Sequence, residues 1–126
     1  MISLYQERIL DYYRNPRNRG TLSSPDFSSG MVNPSCGDAV SIQGTVKGDR
    51  VELCLFEGKG CVISQAMASM LTQQVVGKTI ADIQNMDAEY MLSLLGMDLG
   101  PTRLKCALLP LEALKKGLSE LRTESA

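Results

Sequence analysis

"AVSIQGTVKGDRVELCLFE", residues 39–57, sets two runs of apolar and β-branched side chains on either side of Gly48-Asp49. In the first run Val40, Ile42 and Val46 alternate with smaller or polar residues, although Gly44 interrupts the pattern. In the second, Val51, Leu53 and Leu55 share one face and Glu52, Cys54 and Phe56 the other, as expected where successive side chains point to opposite sides of a strand. Gly48-Asp49 is a turn pair. The stretch therefore reads as a β-hairpin, and a short strand around Met31–Val32 would bring the sheet to about three antiparallel strands.

Outward from the hairpin the pattern turns helical on both sides. Residues 3–14 form an amphipathic pattern with Tyr5, Ile9, Tyr12 and Tyr13 on one side, and Ser3 and Gln6 have capping-box spacing. Asn15-Pro16 stops this helix. The segment 17–30, rich in Gly, Ser and Pro, is an ordered loop or a mobile arm. Beyond the hairpin, Ile63, Met67, Met70 and Leu71 make a helical stripe that ends near Gly77. Thr79 and Asp87 are N-cap residues for short helices over 80–86 and 88–95. After the loop "GMDLGPT", a last helix repeats Leu104, Ala107, Leu108, Leu111, Leu114, Leu118 and Leu121, with Pro110 expected to kink or split it. No internal repeat or linker divides residues 1–126. The expected fold is one α+β domain, a small antiparallel sheet covered by an N-terminal helix and by C-terminal helices.

Bulk composition narrows the function. The 126 residues suffice for one core, and 44% hydrophobic content suits a folded globule. Thirteen basic and 14 acidic residues give a net charge of −1, which offers no electrostatic ground for nucleic acid or an anionic membrane as partner. No apolar run nears the ~20 residues of a membrane span, and "MISLYQERIL" lacks signal-peptide layout, so a cytoplasmic chain is expected. There is no histidine, which removes imidazole-dependent hydrolases and every His-ligated zinc site. Neither GxxxxGK[ST] nor GxGxxG occurs.

Four cysteines in such a chain point to metal or thiol chemistry. Cys36 lies in "NPSCGDAV", Cys61 in "GKGC" before a predicted helix, and Cys106 in "RLKCALLP" near the start of the last helix. All three sit at element ends, where loops can aim them at one point. Cys54 lies inside a strand and reads as a small apolar core residue, and Met67, Met70 and Met91 read as core filler. Helix N-termini favour a thiolate, the form that binds metal. Side chains two apart on a strand stand about 7 Å apart, so Cys36 and Asp38 reach one ion only if the chain bends, which Gly37 permits. Three thiolates and a carboxylate suit zinc or an iron–sulfur centre, the oxygen being the more exchangeable ligand. Arg103, Lys105 and Lys59 stand beside the cysteines in sequence and would offset the negative charge. Ligands scattered over 70 residues without a CxxC pair leave buried thiols and a plain turn aspartate as open alternatives.

The stretches "LYQERILDYYRNPRNRGTL", "NPSCGDAVSIQG", "FEGKGCVISQAMASMLTQQVVGKT" and "TRLKCALLPLEALKKGL", in that order, resemble the IscU/SufU family of iron–sulfur cluster assembly scaffolds, found also as the N-terminal domain of NifU. The resemblance runs from about residue 4 to 119. It implies a three-stranded antiparallel sheet covered by helices, and a site made of Cys36, Asp38, Cys61 and Cys106. The implied task is that of a carrier more than an enzyme. It would take persulfide sulfur from a cysteine desulfurase, combine it with iron, and pass a [2Fe–2S] cluster to apo-proteins. In the SufU branch the same ligands hold zinc, and the protein is a sulfur acceptor that activates its desulfurase. A zinc module serving only protein contacts is a third reading. Lys105, where IscU proteins carry His, is SufU-like, whereas the 44 residues between Cys61 and Cys106 lack the SufU insertion and match IscU spacing. "LGPTRLK" stands where IscU has its LPPVK stretch, so the resemblance does not carry over an Hsp70-type chaperone as partner.

Overall fold

A computed structural model describes residues 4–35 and 37–125, with side chains for all but Tyr5 and 122–125. In chain order the elements are α1 (Leu4–Arg14), β1 (Phe27–Asn33), β2 (Asp38–Lys47), β3 (Arg50–Lys59), α2 (Val62–Val75), α3 (Ile80–Gln84), α4 (Ala88–Leu95) and α5 (Pro101–Ser125). The three strands form one antiparallel sheet in the order β1-β2-β3, and the α+β architecture is the expected one. Gly48 takes φ +65° in the tight turn between β2 and β3, a left-handed conformation that glycine adopts without steric cost.

Strict alternation fails at one place in the hairpin. Thr45 pairs with Leu53 and Val46 with Val51, so Glu52 is an extra residue in a β-bulge. The bulge turns Val51 to the same side as Cys54 and Phe56, all three buried, while Leu53 is 38% exposed. The expected grouping of Val51 with Leu53 and Leu55 is corrected accordingly.

β1 is longer than the Met31–Val32 strand expected, because Phe27 has a seat to fill. It pairs with Gly44, where a Cβ would lie 2.3 Å from the Phe27 ring. The glycine that weakens β2 in the sequence thus admits the ring that anchors β1. Ahead of it, the Phe56 N–H donates to the Asn18 carbonyl and the Gly20 N–H to the Phe56 carbonyl, both at 2.9 Å. The Arg17 N–H donates to Ser69 Oγ and the Leu22 N–H to Gln43 Oε1. At its other end β3 bonds residues 77 and 78. Chain covers the outer edge of this strand where the ladder would otherwise be open.

α2 and α5 pack on one face of the sheet, and the other helices pack on these two. α2 is buried on nearly every side, with Ala66, Ala68 and Ser69 as well as Met67, Met70 and Leu71 closed off from solvent. α1 lies against it through Ile9 and through Tyr12, whose hydroxyl donates to Gln73 Oε1 at 2.8 Å. Tyr13 does not join that side and is 40% exposed, since consecutive helical residues point about 100° apart. Thr79 and Asp87 cap α3 and α4 as expected, accepting from the N–H groups of Asp82 and Tyr90. α3 ends at Gln84, two residues short of the expected boundary.

Pro110 does not split α5, which runs unbroken for 25 residues. An interior proline costs a helix about 3 kcal/mol. Burial of Leu109, Leu111, Ala113, Leu114 and Leu118 against the sheet and α2 offsets it. Gly117 brings α5 close to β1, where a Cβ would lie 3.3 Å from that of Ser29. No helix of the described residues is long and apolar enough to cross a membrane.

Candidate metal centre

Asp38, Cys61 and Cys106 come from three different elements and meet at one end of the sheet. Asp38 opens β2 and is 1% exposed. Gly37 before it takes φ +76°, a left-handed conformation that glycine adopts without steric cost. Cys61 is the N-cap of α2 and half-buried, and Cys106 lies in the second turn of α5, 3% exposed. One carboxylate oxygen and the two sulfurs all lie within 4.8 Å of one another. Cys36, the fourth residue of the expected set, lies outside the described residues.

The local bonds explain how Asp38 is held. Its Oδ1 accepts the backbone N–H of Cys61 at 2.8 Å and its Oδ2 accepts the Cys61 thiol at 3.0 Å. Gly60 makes room for this grip, since a Cβ there would fall 2.1 Å from Asp38 Oδ1, and its φ of +128° independently favours glycine. On the other side, Cys61 Sγ accepts the Ser64 N–H at 3.4 Å. That N–H belongs to the first turn of α2, whose backbone donors have no partner within the helix.

The donors fit a metal. Bonds of about 2.0–2.3 Å in a tetrahedral zinc site put ligand atoms roughly 3.3–3.8 Å apart, so an ion would draw these three inward by about 1.5 Å at most. Two sulfurs select zinc or iron, and the carboxylate is the harder, more labile donor.

Of the charged residues expected to balance the site, Lys59, Arg103 and Lys105 are all exposed. Arg103 borders a groove of about 280 Å³ with Ile9, Ile63 and Met97. Cys54 is apart from the centre and wholly buried, and that burial pushes its thiol up to about 12. Met67, Met70 and Met91 are core residues. Sequence reasoning missed Gly60, Ser64 and Gln65. The only signal for Gly60 was its place before Cys61, and cysteine is not among the usual N-caps that flag a helix start.

Residues 4–126 match the family model of the NifU-like N-terminal domain. The zinc-dependent sulfurtransferase SufU of Bacillus subtilis is 38% identical over 135 residues, covering 94% of this chain and 91% of that protein. The iron–sulfur cluster assembly scaffold protein IscU of Buchnera aphidicola is 34% identical, with 94% of each covered. A crystal structure from Fervidobacterium islandicum, described as an iron–sulfur cluster assembly scaffold for the SUF system, superposes with a TM-score of 0.78 at 29% identity, covering 93% of this chain and 96% of that one.

Proposed function

The chain belongs to the NifU-like N-terminal domain family, and from that premise we propose that it is an iron–sulfur cluster assembly scaffold. Cys36, Asp38, Cys61 and Cys106 are its ligands, and iron with sulfide, as a [2Fe–2S] cluster, is its cargo. The observation that carries this reading is the convergence of Asp38, Cys61 and Cys106 from β2, α2 and α5. A cysteine desulfurase supplies sulfur and apo iron–sulfur proteins receive the cluster. In the sulfur step a thiolate of the site attacks the terminal sulfur of the donor's persulfide. A new S–S bond forms on the scaffold, the donor's S–S bond breaks, and the donor cysteine leaves as thiolate; conversion of that outer sulfur to cluster sulfide then takes two electrons from an external reductant and frees the scaffold thiolate. Asp38 contributes the exchangeable ligand, whose release frees a coordination position.

A second reading is zinc-dependent sulfur transfer without cluster assembly, favoured by Lys105 before the third cysteine and by the likeness to SufU. Anaerobic reconstitution with iron and sulfide separates the two. The scaffold develops sulfide-to-iron charge-transfer absorption, and that absorption is lost in Cys61→Ser and Cys106→Ser. A chain that instead retains one zinc, forms no chromophore and accelerates its desulfurase is a sulfurtransferase. Zinc held with neither activity marks a structural module. Asp38→Ala prolongs the lifetime of a bound cluster if the oxygen is the releasing ligand, and an unchanged lifetime contradicts that role.

A further inference from the structure

Directly behind Cys61 lies a polar side chain that the fold gains little by burying. Gln65, in the first turns of α2, is 6% exposed, and its Oε1 has no hydrogen-bond partner among the described residues. Its Nε2 donates to Ser64 Oγ at 3.1 Å. The Ser64 hydroxyl in turn donates to the Cys61 carbonyl at 3.2 Å, while the Ser64 N–H donates to Cys61 Sγ. The amide fits there because Gly58 on β3 leaves space, where a Cβ would stand 3.0 Å from Gln65 Oε1. An apolar side chain of the same size would remove the stranded oxygen, which is costly in a dry interior. A buried polar group kept in spite of that cost calls for an explanation outside stability.

We infer that Gln65 is a positioning residue for the metal centre: through Ser64 it fixes Cys61 in the extended cap conformation that directs its N–H and sulfur to Asp38. Cys61 has φ −71° and ψ 161°. With its carbonyl held by the Ser64 hydroxyl and by the Gln65 backbone N–H, and its N–H held by Asp38, both flanking peptide groups are fixed. The accepted bond from Gln65 orients the Ser64 hydroxyl so that its proton goes to the carbonyl. Without Gln65 that rotor is free, and the first turn of α2 loses a clamp on the ligand. Groups behind a metal ligand act in this way, fixing the orientation in which it meets the ion.

This inference rests on the metal reading above, and the test separates the two. The full chain, reduced and metal-free, is titrated anaerobically with Zn²⁺ alone against a chromophoric chelator, with urea unfolding of the apo form measured alongside. Gln65→Leu raises the unfolding midpoint and weakens Zn²⁺ binding about tenfold. Ser64→Ala weakens binding likewise. The double variant binds no worse than the weaker single one, because both act through one contact. Gln65→Met provides a second apolar side chain if leucine fails to pack. Binding within about twofold of the parent in a folded apolar variant overturns the inference, as does affinity that falls only in step with stability. If Cys61→Ser binds Zn²⁺ as tightly as the parent, the metal reading itself fails and takes this inference with it. Binding lost in Cys61→Ser yet kept in Gln65→Leu defeats the inference alone.

Discussion

At Gly60 a hydrogen stands where any other residue would place carbon against the Asp38 carboxylate. Gly60→Ala is therefore expected to push Asp38 off the Cys61 N–H, destabilise the fold by about 1–3 kcal/mol, and weaken Zn²⁺ binding at least about tenfold. Urea unfolding and chelator competition read the two effects. Cys54 lies in the core, apart from the metal centre. Burial raises its thiol from 9.0 to about 12, so the folded state holds a proton that the unfolded chain releases between those values. Stability from this group is complete below pH 9 and falls as pH rises through that window. Unfolding midpoints measured against pH should decline there, and Cys54→Ala should flatten the decline. The sequence already distinguished Cys54, because a mid-strand position predicts burial. It identified Asp38, Cys61 and Cys106 as candidates as well, but no spacing rule could say that residues 23 and 45 positions apart in the chain would meet. That followed from family resemblance and from the packing of three elements.

Elements with local signals were readable: the Gly48 turn and the Thr79 and Asp87 caps stand where side-chain chemistry put them. Features created by partners were not. β1 starts at Phe27 because a glycine on the neighbouring strand receives its ring, and the Glu52 bulge exists only in the pairing of two strands. α5 survives Pro110 because its packing outweighs a local rule. Gly44→Ala tests the first of these. Its new methyl would meet both the Phe27 ring and the Leu53 carbonyl at 2.3 Å. A loss of about 1–3 kcal/mol is expected, more if β1 detaches. Hydrogen exchange should show the opening concentrated in residues 27–33.

For the whole molecule, the centre joins the start of β2, the cap of α2 and the second turn of α5. A metal bound there ties the last helix to the sheet, so binding and global stability are linked. Zn²⁺ at a hundredfold over its dissociation constant should stabilise the fold by about 2.7 kcal/mol. Chelation should reverse the gain and speed amide exchange around Cys106. A shift of similar size in Cys61→Ser would place the ion elsewhere. The bulge bears on how this framework tolerates change in length. Glu52 has no residue opposite it, so its deletion leaves Val51 facing inward and closes a regular ladder between Val51 and Leu53. Deleting Leu55 would instead turn core side chains toward water. The hairpin can be shortened by one residue at Glu52, and a neighbouring deletion reverses the faces of the strand.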